Sequence, residues 1–427
     1  MKKFCEIPFM DLRSFSSGRY GICCAVDDYL VPDVNIKDKN PMTYFQSSFM
    51  NKLRQDMIES PDRPKGSVKK ICKQCIDLES TGLHSIREPS KWYGRENTEE
   101  PWVNRDTGEL NLDKKTDRSL KIKLNFYGNQ CNLECYMCEP WSSTKRMEVY
   151  KKLPKKFHQA QTHYDNYHGV LIKYYPEDAF KDICYVTEDR FEEISENLLK
   201  YSHLISMVEV LGGEPALMKR HLNFLQRLVD SGDAKDILLS YISNMTILSE
   251  EWISIIKEFK REEVWSDKIV VKGITLQWSC DDIEERSDWI RYPSNWNGMV
   301  DNVKKFKEIF PDALVKVTNT PSILSVLNVD KFYEKMKFIG FDGDEDVVFN
   351  NVLLFPDYLQ MKHLPNTIKE KLNDRLKGTE LEFLLYYVNQ ERREVDFRLC
   401  IDYLYELDQI RGTNWTTVFP ELYEERI

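Results

Sequence analysis

Three neighbouring cysteines constrain the fold of this chain more than any other feature. They lie within eight residues, in the segment Cys131-Asn-Leu-Glu-Cys135-Tyr-Met-Cys138, just after a stretch that alternates like a strand, Leu120-Lys-Ile-Lys-Leu-Asn-Phe126. This spacing brings three sulfur ligands to one point, whereas closed zinc and iron-sulfur sites bind four protein ligands. The sequence therefore predicts a metal cluster with one open position. A zinc site completed by a distant histidine is the alternative for the same thiolates.

A second motif lies about 75 residues after the cysteines, where the apolar segment Val208-Glu-Val-Leu-Gly-Gly-Glu-Pro215 ends in two glycines and a glutamate. Gly212 and Gly213 at the end of a strand would let a ligand approach the backbone closely. The carboxylate of Glu214 can accept hydrogen bonds from an ammonium group. The motif predicts a second part of the same site, although a plain strand-to-helix connection would use the same residues.

Strands and helices alternate after this motif, which predicts an α/β fold with a parallel sheet and crossover helices. Helical periodicity separates the predicted strands, which are 236–242, 269–278, 313–318 and 347–355. In parallel barrels the site lies at the carboxyl ends of the strands. Asn244 and Ser279 follow or end two of these strands and are candidates for ligand binding. As alternatives, Asn244 would form a turn and Ser279 would cap a helix.

Together these motifs resemble those of the radical S-adenosylmethionine (SAM) family. The resemblance implies a partial (β/α)6 TIM-like barrel in which Cys131, Cys135 and Cys138 hold a 4Fe-4S cluster, whose fourth iron binds SAM. Reduction of the cluster then cleaves SAM to methionine and a 5'-deoxyadenosyl radical, which removes a hydrogen atom from the substrate. A reductant such as flavodoxin or ferredoxin is implied as a partner.

The same resemblance implies which residues contact SAM. They are Gly212, Gly213 and Glu214 for its amino group, and Asn244 and Ser279 for its ribose and carboxylate. The family usually has an aromatic residue before the third cysteine, where its backbone meets the adenine, but this chain has Met137 there and Tyr136 one position earlier. Arg291 would bind a carboxylate of SAM or of the substrate, or anchor a loop by an ordinary salt bridge.

A second group of cysteines lies near the amino terminus. Its members are Cys5, the adjacent pair Cys23 and Cys24, and the C-x2-C pair Cys72 and Cys75. A C-x2-C pair and two cysteines from separate loops can build a closed four-sulfur site, which zinc and 4Fe-4S clusters both accept. Because successive side chains point apart, only one cysteine of the adjacent pair can face the metal, and we expect Cys24.

This amino-terminal segment resembles the twitch or SPASM-like module of some radical SAM proteins, which binds an auxiliary 4Fe-4S cluster. In most of those proteins the module follows the barrel, whereas here it precedes the barrel, as in a set of phage-encoded proteins. The implied organisation is a cluster module over residues 1–100, a barrel over 118–360 and a helical extension over 361–427. A zinc-stapled module without a redox role is the alternative.

Composition argues against several classes of function. The chain has 60 Lys and Arg against 70 Asp and Glu, a net charge of -10, so it has no general electrostatic affinity for nucleic acid. Its amino terminus has no apolar signal core, and no apolar run approaches the roughly 20 residues that span a bilayer. We expect a cytoplasmic protein, in the host cytoplasm if phage-encoded. Its eleven cysteines are expected to serve metal binding or catalysis rather than disulfide formation.

The implied function is that of a radical SAM enzyme, an oxidoreductase or modifying enzyme. It would abstract a hydrogen atom from a peptide or protein side chain or from a small molecule. The auxiliary cluster would transfer an electron or bind the substrate, which these residues do not identify. The competing class is a non-catalytic binding protein whose cysteines hold zinc or inert iron-sulfur clusters.

Overall fold

The computed structural model of this chain describes the following residues: 5–15, 18–23, 26, 30–59, 66–80, 85, 102–157, 161–165, 170–174, 186–210, 212–266, 269–349 and 351–425. The strands are β1 (Asp11–Ser14), β2 (Tyr20–Gly21), β3 (Leu120–Lys123), β4 (Gln161–Asp165), β5 (Val170–Tyr174), β6 (Ile205–Val210), β7 (Leu238–Ser243), β8 (Glu262–Ser266), β9 (Ile269–Lys272), β10 (Ile274–Ser279), β11 (Leu314–Thr318) and β12 (Val347–Val348).

The main sheet has eight strands in the order β12-β11-β10-β7-β6-β3-β1-β2. The six strands from β3 to β12 in this order are parallel and succeed one another in chain order. The four strands outside this sheet form two antiparallel hairpins, β4–β5 and β8–β9. The prediction of an α/β fold with parallel strands joined by helices is therefore confirmed.

The helices connect the parallel strands and build the carboxyl-terminal part of the chain, so the predicted helical tail is present. They are α1 (Ile7–Met10), α2 (Pro41–Phe45), α3 (Ser48–Glu59), α4 (Gly66–Ile71), α5 (Lys73–Ser80), α6 (Thr144–Lys152), α7 (Glu188–Leu199), α8 (Lys219–Asp230), α9 (Glu250–Ile256), α10 (Glu284–Ile290), α11 (Trp296–Ile309), α12 (Val329–Phe338), α13 (Gly343–Asp346), α14 (Asn366–Leu376), α15 (Leu384–Val388), α16 (Glu394–Arg411), α17 (Trp415–Val418) and α18 (Pro420–Glu424).

Local sequence explains where a typical crossover helix begins and which face it buries. Helix α7 begins where the Thr187 side chain accepts a hydrogen bond from the Arg190 backbone amide, and acidic residues fill its first turn. Its buried residues include Phe191, Ile194 and Leu198, which helical spacing places on one side. The helix therefore packs this apolar stripe against the sheet.

The two faces of the parallel sheet differ in composition. On the outer face the strands bury apolar side chains beneath the helices, and aromatic rings from both layers meet: Tyr241 and Trp252 lie 5.3 Å apart, and Trp278 and Trp296 lie 5.9 Å apart between ring centroids. The opposite face, called the inner face below, carries Lys123, Glu209, Ile242 and Gln277, which are half-buried or exposed. Because the strands are parallel, their carboxyl ends meet at one edge.

Two predicted strands are wrong in detail. Of the predicted strand 347–355, only β12 (Val347–Val348) is a strand among the described residues. Residues 269–278 form two strands, because β9 pairs with β8 in a hairpin while β10 enters the main sheet. Gly273 separates them with a φ of +71°, and a Cβ atom there would lie 2.3 Å from the Phe259 carbonyl oxygen. Only glycine fits at this break between β9 and β10, and the apolar run in the sequence did not reveal the break.

The amino-terminal segment contributes directly to the main sheet. Strand β1 pairs in parallel with β3, with Leu12 beside Ile122 and Arg13 beside Lys123. The Asn125 backbone amide also donates to the Ser14 hydroxyl over 2.8 Å. The domain limits at residues 100 and 118 stay a prediction. By sequence β1 falls within the predicted cluster module, but it pairs with a strand of the predicted barrel. Among the described residues, no helix combines the length and hydropathy that a membrane crossing needs.

Candidate functional site

The cysteine loop and the glycine motif meet at the carboxyl edge of the sheet. The Glu214 backbone amide donates to the Gln130 carbonyl over 2.8 Å, and the Gly213 amide donates to the Ser142 carbonyl over 3.1 Å. Gly213 has a φ of +57°, and a Cβ atom there would lie 2.4 Å from the Gln130 carbonyl oxygen. Glycine is therefore required for the loop after β3 to contact the turn after β6.

The three thiols of the loop are close enough to influence one another. Burial, and after it the charge of the nearby Cys135, raise the pKa of Cys131 to about 11. The pKa of Cys138 is also raised, by burial first and then by Cys135 and Cys131. Thiols in such a setting stay protonated until a metal displaces their protons, which is how thiolate ligands are generated.

Polar groups approach two of these sulfurs. The Leu133 backbone amide donates to the Cys131 sulfur over 3.5 Å, and the Asn244 amide group lies 3.9 Å from the same atom. The Arg291 guanidinium lies 3.9 Å from the Cys135 sulfur. A cation and two N–H donors near these sulfurs would stabilise thiolates or a cluster of net negative charge.

The Glu214 side chain is bonded to the end of β7, a structural role that the sequence did not suggest. It is completely buried, and its two carboxylate oxygens accept from the Ser243 hydroxyl (2.7 Å) and the Asn244 backbone amide (2.8 Å). Burial raises the pKa of Glu214 to about 7. The carboxylate therefore fixes the end of β7 and, through it, the position of Asn244 beside Cys131.

The end of β10 carries a buried ion pair behind the cysteine loop. Asp281 is completely buried, and its carboxylate accepts from the Thr320 backbone amide over 2.7 Å. Its second oxygen lies 2.7 Å from the Arg291 Nε atom. Of the two interpretations of Arg291, the structure shows the loop-anchoring salt bridge. Ser279 lies half-buried at the same strand end, beside Thr318 in register.

Helix α16, in the carboxyl-terminal part of the chain, holds the cysteine loop from outside the sheet, a contact that sequence reasoning missed. The Tyr403 hydroxyl on α16 donates to the Tyr136 carbonyl over 2.6 Å, and the Arg411 guanidinium donates to the Glu134 carbonyl. From the other side, the amides of these two loop residues donate to the Ile290 and Tyr292 carbonyls over 2.9 and 2.7 Å. The loop thus lies between α16 and the segment after α10.

A buried arginine on α6 extends this support to the third cysteine. The Arg146 Nε atom donates to the Cys138 carbonyl over 3.0 Å, and its guanidinium also donates to the Tyr403 hydroxyl. A charged residue on the apolar face of α6, next to the buried Met147 and Val149, was the available sequence signal. It indicates a buried polar network at that position.

The aromatic residue and the methionine before Cys138 are placed differently. Tyr136 is completely buried, and its hydroxyl donates to the Ser322 hydroxyl over 2.6 Å. Its ring therefore belongs to the core. Met137, the residue predicted to meet the adenine, has a 9 % exposed side chain on the loop itself. Gly212, with a φ of +83°, lies against the Asn125 side chain at the neighbouring strand end.

The amino-terminal cysteines line one small pocket. Cys5, Cys23, Cys72 and Cys75 share it with apolar residues from four segments: Ile7, Pro8, Ile22, Val26, Met57 and Ile71. Cys24, the predicted fourth ligand, lies outside the described residues, so its assignment stays a prediction. Four thiols in an apolar pocket form a donor set that suits either a zinc ion or a 4Fe-4S cluster.

Unlike the four thiols of the amino-terminal pocket, the three thiols of the cysteine loop fit a cluster with one open position. Three thiols lie at the strand edge beside a side-chain-free glycine turn, and their loop is held by backbone hydrogen bonds on three sides. This arrangement suits a cluster that keeps one iron for an external ligand. The residues present therefore fit the cluster and the SAM molecule that the sequence motifs imply.

Comparisons with known proteins give similarity of structure only. No protein-family model matches this sequence, and no curated protein matches it. Similar solved structures include anSMEcpe with bound AdoMet, at 18% identity and a TM-score of 0.35 over 64% of this chain and 64% of that chain. SuiB of Streptococcus suis bound to S-adenosylmethionine matches at 12% identity and a TM-score of 0.34 over 64% of this chain and 53% of that chain.

A third similar structure is anSMEcpe with bound AdoMet and a Cp18Cys peptide, at 17% identity and a TM-score of 0.31. That match covers 57% of this chain and 62% of the other. The chain spans less than two thirds of the length of each of these three matched structures.

Proposed function

We propose that this chain is a radical SAM enzyme. The observation that carries the proposal is the junction of the two motifs: the amide of Glu214 is hydrogen-bonded over 2.8 Å to the carbonyl of Gln130, the residue before Cys131. Two segments that are far apart in sequence and carry different ligand chemistry therefore share one edge of a parallel sheet. Parallel α/β sheets bind ligands at that edge.

In the proposed enzyme Cys131, Cys135 and Cys138 hold a 4Fe-4S cluster, and Gly212, Gly213 and Glu214 form the binding turn for the amino group of SAM. When bound and reduced, this pair of cofactors supplies a 5'-deoxyadenosyl radical for hydrogen abstraction. Asn244, Ser279 and the backbone at Met137 are the proposed further contacts of SAM. Asn244 is best supported, because the buried Glu214 carboxylate holds its backbone amide beside the cysteine loop.

The chain's own residues would shield and tune this site. Cys135 is buried, which limits the access of water and oxygen to the metal. Arg291 places one positive charge near its sulfur, and Asp281 compensates that charge on the far side. The ion pair of Arg291 and Asp281 thus places a cation next to the Cys135 sulfur without leaving a net charge in the core.

We propose that the amino-terminal module is of the twitch or SPASM-like kind and binds an auxiliary 4Fe-4S cluster through Cys5, Cys72, Cys75 and one of the adjacent cysteines. Cys23 lines the pocket, and Cys24, the expected ligand, lies outside the described residues. The cluster would transfer an electron or bind the substrate, a peptide, protein or small molecule. A flavodoxin or ferredoxin would reduce the enzyme in the cytoplasm, and the phage resemblance belongs to the same proposal.

Zinc remains the competing metal for the amino-terminal pocket, because four thiols satisfy either group. If both sites held zinc or inert clusters, the chain would be a non-catalytic binding protein. The two proposals predict different metal contents, so one experiment separates them.

The test measures iron, sulfide and zinc per chain after anaerobic reconstitution, followed by reductive cleavage of SAM. Wild type is compared with a Cys131→Ala, Cys135→Ala, Cys138→Ala variant. The control is Cys400→Ala, a buried cysteine on α16 that belongs to neither site. We expect two clusters in wild type and the control, one in the triple variant, and 5'-deoxyadenosine only where the loop is intact. Zinc in wild type, or unchanged iron in the triple variant, would contradict the proposal.

A further inference from the structure

The inner face of the sheet carries charged residues below the cysteine loop. Lys123 on β3 lies 3.3 Å from the Asp11 carboxylate on β1 and 3.3 Å from the Glu209 carboxylate on β6. The three side chains are about one-fifth exposed or less. Two carboxylates from the strands on either side therefore hold one lysine on this face.

Arg13 is the fourth charged residue of this group and has a different environment. It pairs in register with Lys123, and the two positive charges repel each other. Its Nε atom is buried without a hydrogen-bond partner. Among the described residues, Arg13 forms no ion pair. A buried guanidinium nitrogen without an acceptor is costly, which points to a missing anionic partner.

The inner face of the sheet is exposed at one position near the carboxyl ends of its strands and is packed with apolar side chains toward their amino ends. Ile242, on the same face of β7, is 40% exposed although it lies inside a parallel sheet. Toward the amino ends of the strands, an apolar cluster of Met207, Leu238 and Val271, with Leu314 packed against it, fills the inner face. The charged residues therefore lie on the carboxyl side of this apolar cluster, on the side of the cysteine loop.

We propose that Arg13 and Lys123 bind a carboxylate of the substrate on the inner face of the sheet. A guanidinium can bind a carboxylate through two parallel hydrogen bonds, and the adjacent ammonium adds a second positive charge. Lys123 is shared with Asp11 and Glu209, so Arg13 supplies the unfilled donor. This inference rests on the proposed function for the identity of the ligand as substrate.

The position of Arg13 connects the two cysteine sites. It lies on β1, eight residues after Cys5, and its partner Lys123 lies eight residues before Cys131. A carboxylate held by both residues would place the rest of the substrate on the inner face, with the cysteine loop at the carboxyl edge above it. The amino-terminal segment thus contributes a specificity residue to the barrel as well as a metal pocket.

The test measures the binding of radiolabelled succinate to the full-length, anaerobically reconstituted chain by equilibrium dialysis at low salt. Succinamide is the neutral probe, and inorganic phosphate is the competing anion. We expect saturable succinate binding that weakens about tenfold or more in Arg13→Met and returns to within about threefold in Arg13→Lys. Arg398→Met, which removes an exposed arginine of α16, is the matched control and leaves binding unchanged.

A gain of affinity provides a second measurement that structural damage would not produce. Glu209→Gln releases Lys123 from one of its two carboxylates, and we expect succinate to bind about threefold more tightly. Equal succinate affinity in wild type and Arg13→Met, or equal binding of succinamide, would overturn the proposal. Tighter binding of phosphate than of succinate at Arg13 would overturn the assignment to a carboxylate. Dialysis is scored without SAM cleavage, so failure of the proposed function is recognised separately.

Discussion

A buried arginine lies behind each of the two cysteine sites, and the two arginines are held differently. Arg291, beside Cys135, forms an ion pair with the buried Asp281, which raises its pKa against the opposing effect of burial. Arg54 is completely buried, and its described acceptors are all neutral oxygens, the carbonyls of Pro8 and Phe45 and the side chain of Asn51. Burial lowers its pKa to about 9.

This difference indicates two ways to build a cysteine site. The cysteine loop is a continuous segment whose charges are paired and whose backbone is bonded to several elements, so the protein defines it before any metal binds. The amino-terminal pocket collects thiols from three separate segments on an apolar lining. Arg54, which is bonded to the carbonyl of Pro8 in that lining, forms no ion pair with any residue that the structure describes. A pocket of that kind gains much of its order from the metal itself. The following predictions test this contrast.

The largest effect is expected for the paired arginine. Arg291→Met leaves Asp281 buried without a cation, and breaking a buried pair costs about 3–5 kcal/mol of unfolding free energy. The measurement is urea denaturation of the reconstituted chain under anaerobic conditions. Arg291→Met combined with Asp281→Asn is the matched control, and it should recover part of the loss. A loss below about 1 kcal/mol in the single variant would show that the pair does not stabilise the loop site.

The second largest effect is expected on the pH dependence of stability, from the buried acid Asp282 next to Asp281. Asp282 is completely buried, accepts from the Asn328 amide over 2.8 Å and has its pKa raised by burial to about 7. The folded chain therefore binds more protons than the unfolded chain above pH 3.8, and stability falls as pH rises toward about 7. Asp282→Asn keeps the acceptor oxygen and should reduce this fall by about 2–3 kcal/mol.

Denaturation curves for wild type and Asp282→Asn at several pH values between 4 and 8 check this prediction. Asp288→Asn, at a half-buried acid on α10 with a smaller upward shift of its pKa, is the control. Parallel pH profiles for wild type and Asp282→Asn would mean that Asp282 ionises normally in the folded chain.

A smaller effect is expected for the unpaired arginine. Arg54→Met removes three hydrogen bonds to neutral oxygens but also removes a desolvated cation, and the methionine side chain keeps contact with Phe45. We expect a loss of about 1–2 kcal/mol, less than for Arg291→Met. Limited proteolysis of the amino-terminal segment, with and without bound metal, measures it. Metal should suppress most of the loss, and the contrast between the sites fails if Arg54→Met is the more damaging variant.

The smallest effect tests the outer support of the loop. Tyr403→Phe removes the hydroxyl that donates to the Tyr136 carbonyl, at an expected cost of about 1 kcal/mol. The control is Tyr405→Phe, a tyrosine of the same helix that is 39% exposed. Because Tyr403 touches the loop backbone, we also expect slower SAM cleavage at unchanged iron content. Identical behaviour of the two variants would remove α16 from the description of the site.

Sequence reasoning predicted the parallel strands and both cysteine groups because each has a local signal. Alternating apolar residues indicated β3, β7 and β11, and the cysteine spacing indicated the loop without any knowledge of its neighbours. The glycine motif was predicted at a strand end and lies there. These features depend on residues that are close in sequence, so their pattern is visible in one segment.

The rest depends on contacts between distant segments, which no local pattern contains. Arg13 looks like an ordinary charged strand residue, and its position beside Lys123 follows only from the parallel pairing of β1 with β3. The bond from Tyr403 to the loop joins residues 267 positions apart. The two interpretations of Arg291 could be separated only when its ion pair with Asp281 was seen.

The contact between α16 and the cysteine loop has a consequence for the biosynthesis of this protein. The carbonyls of Glu134 and Tyr136 are bonded by Arg411 and Tyr403, residues that the ribosome adds far later than the loop. A nascent chain that has just completed the strands of the sheet therefore presents three cysteines on an incompletely fastened loop. Under the proposed function, iron and sulfide therefore meet a fully bonded loop only after α16 has been synthesised.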